Sequence, residues 1–263
     1  MKTVRIGQLA IGEGMPKICV PVVGRRKEDI YESAGMIRKC AAQPDMVEFR
    51  ADWFEDVMDV EKTCRVLRDI RMELDGIPVL FTFRTSKEGG EQMFEYKGYS
   101  ELLCAVADSG CAEAVDVEAF SYSGMDGDTA QVEQLIGNLR SLGCVVIGSN
   151  HDFQATPPAE ELLRRMKCMQ KMGMDIAKIA VMPHNAQDVL ELLTATVHAS
   201  QDETMCPVIT MSMSGRGVIS RLGGEVFGSA VTFASAGRAS APGQVELDRL
   251  KDVLKLIHES GQQ

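Results

Sequence analysis

What this 263-residue sequence lacks removes whole classes of protein. No apolar run approaches the ~18 residues of a membrane span, and no low-complexity stretch interrupts the chain. The first residues, Met1 to Gly14, carry Lys2 and Arg5 but no apolar block of signal-peptide length, so a cytoplasmic protein is expected. The eight cysteines include no CxxC pair and face no histidine at zinc-finger spacing, so they read as reduced core residues. Phosphate-binding glycine fingerprints are missing too. Val23-Gly24-Arg25-Arg26 stands where an open dinucleotide-binding sheet would have its glycines, and Gly89-Gly90 and Gly223-Gly224 lack the spacing. Positive charge is in the minority, 28 Lys and Arg against 38 Asp and Glu, for a formal net charge of −10. That balance argues against nucleic-acid or anionic-membrane partners, while leaving room for a local arginine pocket that takes an anionic small molecule.

The rest is an ordinary globular composition, 45% hydrophobic and 25% charged, with the length of one large domain. Eight short apolar runs recur about every 30 residues, the length of a βαβ unit. They are Ile18 to Val23, Met46 to Arg50, Val79 to Arg84, Ala114 to Phe120, Cys144 to Ser149, Asp175 to Val181, Pro207 to Met213 and Val231 to Ser235. Amphipathic segments lie between them, with one-faced stripes such as Leu162, Met166, Met169 and Leu247, Leu250, Leu254, Ile257. Thr156-Pro157 reads as a helix N-cap and first turn, and Gly110, Gly143 and Gly173 sit where helices should end. The expectation is α/β: residues 1–263 as a single (β/α)8 barrel, with the first sixteen residues forming a hairpin that closes its bottom.

In such a barrel the inward side chains and the strand C-terminal ends make the active site, so polar residues there are informative. Alternation along Ile176-Ala177-Lys178-Ile179-Ala180-Val181 puts Lys178 opposite three apolar neighbours and therefore inside the barrel. Desolvation there disfavours the ammonium and promotes the neutral amine that a carbonyl adduct needs; a surface lysine on a short edge strand is the plain alternative. Glu48 and Arg50 share the inner face of the second strand, as do Asp116 and Glu118 on the fourth, and an ion-pair network would explain them equally well. Arg84 ends the third strand before the polar stretch Thr85 to Gly90. Of the four histidines, His151 alone follows a strand C-terminus.

These segments resemble a known family over essentially the whole chain, the type I 3-dehydroquinate dehydratases of the shikimate pathway. The resemblance rests on Phe81-Thr82-Phe83-Arg84 with Lys87 to Gln92, Ser149-Asn150-His151-Asp152-Phe153, Lys178 to Pro183, Gly217 to Leu222 and Ala239 to Gln244. It implies a cytoplasmic hydro-lyase without metal or cofactor, forming a homodimer and converting 3-dehydroquinate to 3-dehydroshikimate. It also implies Lys178 as the Schiff-base lysine, His151 as general acid/base, Glu88 as the carboxylate orienting that imidazole, and Glu48, Arg50, Arg84, Arg221, Ser240 and Gln244 as substrate ligands. Pro21 departs from the family pattern, which has serine there. The connection from about Ala236 to Gln244, poor in large apolar side chains, is expected to fold over the substrate. Two rival chemistries are a class I aldolase, which shares the lysine, and a metal-dependent sugar isomerase, which needs His and carboxylate ligands at several strand ends.

Overall fold

A computed structural model describes residues 2–237 and 243–262. Strands β1 (Val4–Ile6) and β2 (Leu9–Ile11) form an antiparallel hairpin whose turn passes through Gly7 at φ +57°. Strands and helices then alternate: β3 (Lys17–Val22), α1 (Lys27–Lys39), β4 (Met46–Arg50), α2 (Val60–Glu73), β5 (Val79–Thr82), α3 (Tyr96–Asp108), β6 (Ala114–Glu118), α4 (Ala130–Ser141) and β7 (Val145–Asp152). The series continues with α5 (Ala159–Lys171), β8 (Ile176–Val181), α6 (Ala186–Gln201), β9 (Val208–Ser212), α7 (Val218–Leu222), α8 (Gly224–Phe227), β10 (Val231–Ser235), β11 (Val245–Glu246) and α9 (Leu247–Gly261). Strands β3 to β9 pair in parallel and in chain order, and β10 pairs with β3 on the far side. The curled sheet closes between β9 and β10, where Ala230 N donates to Val208 O at 2.8 Å and Thr210 N to Ser229 Oγ at 3.0 Å. A (β/α)8 barrel results, as the eight apolar runs predict.

Two apolar layers follow from the strand alternation. Val47, Phe49, Phe81, Val146, Ala177 and Ile179 face outward and pack against the helix stripes, among them Leu67, Leu162, Met166, Leu250 and Leu254. Each Val, Leu, Ile, Phe or Met among them contributes roughly 1.5–3 kcal/mol when fully buried. Inside the barrel, the first inward residues of successive strands, Cys19, Met46, Leu80, Ala114, Ile147 and Ile176, form a lower layer. Ile6 and Ile11 of the hairpin join it, both with no exposed surface, so the hairpin plugs the bottom. That apolar floor leaves the polar inward residues above it, at the C-terminal ends of the strands.

Local differences from the sequence expectation have identifiable causes. β7 does not stop at Ser149 but runs on to Asp152, because β8 pairs with it up to Asp152 and Val181; His151 is therefore a strand residue, opposite Ala180. Thr156 is not a helix cap: its Oγ1 donates to Met182 O at 2.9 Å, and α5 begins after Pro158. Gly110, Gly143 and Gly173 follow helices at φ +64°, +86° and +95°, the left-handed conformation that glycine adopts without steric cost. The short last interval holds two one-turn helices, α7 and α8, and two-residue β11 extends the sheet beside β10.

Candidate active site

A cavity of about 170 Å3 opens at the upper end of the barrel, with Glu48, Arg50, Arg84, Glu88, His151, Lys178, Arg221 and Gln244 in its wall. Phe153, Ala180, Met211, Met213 and Phe233 supply the apolar part. A larger open groove of about 700 Å3 runs along α1 but touches neither Lys178 nor His151. Eight of the nine expected site residues thus meet in one place; Ser240 and most of the connection around it, residues 238–242, lie outside the described residues.

Lys178 projects inward from β8 and is 3% exposed. Its Nζ stands 3.3 Å from Glu48 Oε1 and 3.2 Å from Asp116 Oδ2, and 4.7 Å from the centre of the Phe233 ring. The sequence reading considered desolvation alone. The fold adds two carboxylates and a π-face, each placed to interact with the Lys178 nitrogen. Glu48 is itself aligned by Thr82, whose Oγ1 donates to the same oxygen at 2.9 Å.

On the neighbouring strand β7, the register sets Ser149 beside Lys178 and places His151 two residues higher on the same inner face. Glu88, from the connection after β5, grips His151 twice, at Nδ1 and at the backbone N–H, both 2.9 Å. The Glu88 carboxylate also accepts from Ser121 Oγ at 2.9 Å and Asn150 Nδ2 at 3.4 Å, and Arg165 in α5 fixes Asn150 by donating to its Oδ1 at 2.9 Å. Burial, followed by the positive charges of Arg84 and Lys178, pushes His151 well below the ordinary imidazole range. Burial raises Glu88 above the usual carboxylate range, against the pull of Arg84. With Nδ1 committed to Glu88, Nε2 of a neutral ring is the atom left for proton transfer.

Arg84 is engaged differently from a free anion receptor. Nη2 donates to Asp116 Oδ1 at 2.8 Å, and Nη1 to Glu118 Oε1 at 3.1 Å and Ser149 Oγ at 2.9 Å. Burial would lower this guanidinium, but the Asp116 and Glu118 carboxylates outweigh it and raise it. Arg221, held in α7, is 1% exposed, and burial pushes it down to about 10. Arg50 forms a two-pronged pair with Asp52 at 2.9 Å through both Nε and Nη2.

Asp52 is a residue that the sequence reading did not single out. It has no exposed surface, and it also accepts from the backbone N–H groups of Arg84 at 3.3 Å and Glu91 at 3.2 Å. It thereby ties Arg50 to the segment that carries Glu88. The sequence signal was an aspartate two places after an inward arginine at a strand end. Pro21 lies on the inner face beside Glu48, and the ladder with β10 ends at Cys19, before the position where proline lacks its donor. Among the described residues, no three His, Cys, Asp or Glu side chains gather at metal-ligand spacing.

The family model of type I 3-dehydroquinases matches residues 18–261. The chain belongs to that family. As a type I 3-dehydroquinase it is a hydro-lyase of the shikimate pathway. It is 44% identical over 259 residues to the 3-dehydroquinate dehydratase of Bacillus licheniformis, covering 98% of this chain and 99% of that one. The structure of the Clostridium difficile type I enzyme with covalently modified comenic acid aligns with a TM-score of 0.91 at 41% identity, over 98% of this chain and 99% of that one. The Geobacillus kaustophilus 3-dehydroquinate dehydratase gives a TM-score of 0.90 at 36% identity, over 98% and 97%.

Proposed function

We propose that this type I 3-dehydroquinase converts 3-dehydroquinate to 3-dehydroshikimate through an iminium on Lys178, with His151 moving the protons and Glu88 orienting it. The observation that carries the reading is an enclosed lysine and a carboxylate-anchored imidazole on adjacent strands of one small cavity. The Lys178 amine adds to the ketone carbon, and loss of water leaves an iminium, an electron sink that acidifies the neighbouring C–H. His151 removes that proton. The enamine then expels the β-hydroxyl, which leaves as water on taking a proton from His151, and hydrolysis of the iminium returns free amine and enone.

Arg221 is assigned to the substrate carboxylate, Glu48 and Arg50 to ring hydroxyls, and Ser240 and Gln244 to further polar contacts, as the family resemblance implies. Arg84 lines the wall with its guanidinium already engaged and contributes positive potential more than a free fork. The covalently modified comenic acid in the structure of the Clostridium difficile relative supports a reading in which covalent chemistry takes place with a small ligand. The unpaired state of all eight cysteines supports the cytoplasm as the location. The chain is proposed to work as one catalytic unit over residues 1–263 and to pair as a homodimer, which light scattering on the purified protein would check.

Borohydride added with 3-dehydroquinate should inactivate the enzyme and add product-derived mass to the peptide containing Lys178, while Lys178→Ala should take no label. Label on Lys87 or Lys171 instead would overturn the assignment. Growth of ultraviolet absorbance from the conjugated enone, undiminished by a chelator, separates this reaction from aldol cleavage and from metal-dependent isomerisation.

A further inference from the structure

Asp116 takes no part in the proton transfers above, yet its Oδ2 lies 3.2 Å from Lys178 Nζ. We propose that Asp116 is the fixed counter-ion of the Lys178 iminium: it keeps the Schiff-base nitrogen protonated, so that the adduct remains an electron sink, and it exchanges no proton itself. This inference rests on the Lys178 reading.

Three features set Asp116 apart from Glu48, the other carboxylate at the amine. The first is permanence of charge. Asp116 has no exposed surface and accepts from Arg84 Nη2 at 2.8 Å and Ser149 Oγ at 2.6 Å. Burial alone would raise its carboxyl, but Arg84 and Lys178 outweigh burial and hold it well below the usual range. Arg84 cannot swing away, because Glu118 holds it at 3.1 Å and is itself pinned by Thr85 N and Oγ1, both at 2.7 Å.

The second feature is position. Glu48 and Lys178 line the cavity and Asp116 does not, so a bound hydroxyl can draw Glu48 away while Asp116, whose Oδ1 is held by Arg84 and Ser149, keeps Oδ2 on the nitrogen. The third is the chemistry of the nitrogen. When the amine condenses with the ketone, the carbonyl oxygen leaves as water, with one hydrogen from the amine and one proton from the medium. The nitrogen keeps a single hydrogen and a positive charge. One N–H cannot serve two carboxylates, and the one behind it, away from the substrate, is Asp116. Phe233 covers the same nitrogen at 4.7 Å, and shielding from water strengthens the ion pair.

The other ionisable groups around this pair are compatible with the assignment. Burial and the neighbouring cations disfavour a proton on His151, and the Asp116 and Glu118 carboxylates favour the charge on Arg84. Burial raises Cys19 and Tyr99 well above their ordinary values, so both stay uncharged into the alkaline range. Burial raises Glu88 and Glu118 above the usual carboxylate range, against the pull of Arg84.

Cyanoborohydride reduces a protonated iminium and not a neutral imine, so its labelling rate reports the protonation of the nitrogen. The reagent would be added to enzyme equilibrated with saturating 3-dehydroquinate, and the Lys178 adduct counted by mass spectrometry across about pH 7 to about pH 9.5. Wild type should label at a rate constant within about twofold over that range, whereas in Asp116→Asn the rate should fall about tenfold per pH unit in its upper part. Glu48→Gln should keep the flat wild-type profile even if its turnover drops. A falling profile in wild type, a flat one in Asp116→Asn, or a falling one in Glu48→Gln overturns the counter-ion role. If Asp116→Asn does not fold, the wild-type and Glu48→Gln profiles decide the matter by the same criteria. Absence of label on Lys178 in wild type at every pH would instead overturn the Schiff-base reading itself.

Discussion

Burial and the neighbouring cations Arg84 and Lys178 disfavour a proton on His151, while Glu88 fixes its Nδ1 and leaves Nε2 for the substrate. Removing the ring should leave the amine competent to attack but unable to finish. His151→Ala is expected to lose at least ~10²-fold in turnover, within the ~10²–10⁴-fold range of acid/base catalysis, and to accumulate adduct. Single-turnover kinetics with mass detection would show this, and near-normal turnover would take His151 out of the mechanism. At this scale the sequence disclosed which side chains point inward, since alternation about Lys178, Glu48 and Arg50 is a property of the strand alone. Their partners were not legible. Asp52 follows Arg50 by two residues, but the amides it accepts come from Arg84 and Glu91, beyond a whole helix.

The connection after β5 shows how an element serves the chemistry. It folds back on itself through Ser86 N to Gln92 O at 2.8 Å and Gly90 N to Thr85 O at 2.9 Å, and so presents Glu88 to β7. A Cβ on Gly90 would stand 1.9 Å from the carbonyl oxygen of Arg84, a backbone atom that cannot step aside. Gly90→Ala should therefore displace Glu88 and lower kcat/KM by about 100-fold, the usual consequence of a misplacement near 1 Å. Gly137, exposed in α4 with nothing within 4 Å of its added Cβ, is the control; Gly137→Ala should leave activity intact and raise stability by about 1 kcal/mol. Equal activity in the two variants would show that the connection does not position Glu88. The strand runs were visible in the sequence because apolar residues mark them, whereas the extension of β7 through His151 depends on pairing with β8, which no local pattern specifies.

Across the whole molecule, buried titrating groups make stability depend on pH. His151 lies below its unfolded value, so its contribution is complete above about pH 6.5 and is lost as pH falls, because the unfolded chain takes the proton first. Asp116 is also held below its unfolded value and adds a second loss below about pH 4. Glu88 and Glu118 are raised, so they act in the opposite sense, gaining as pH falls towards about 4.3. Urea unfolding of wild type should therefore show an extra slope of up to about 1.4 kcal/mol per pH unit between about pH 6.5 and pH 5 that His151→Ala lacks. Parallel slopes would mean that His151 is not held neutral in the folded protein.

The barrel, its hairpin plug and the inward set of charged side chains were determined by the sequence itself, through apolar periodicity, β-branched runs every ~30 residues and strand alternation. Those are local properties, and a chain carries them before it folds. Which charge meets which was decided only by closure of the barrel. Glu48 and Asp116 reach Lys178 across 130 and 62 residues of sequence, and Arg84 is shared between Asp116 and Glu118 from another strand. An inward lysine read from alternation comes without named partners; the tertiary structure supplies the two carboxylates and the ring that surround it. Electrostatic coupling depends on distance in space and on the medium between the charges, and neither is fixed until closure brings the inner faces of β4, β6 and β8 together inside the barrel.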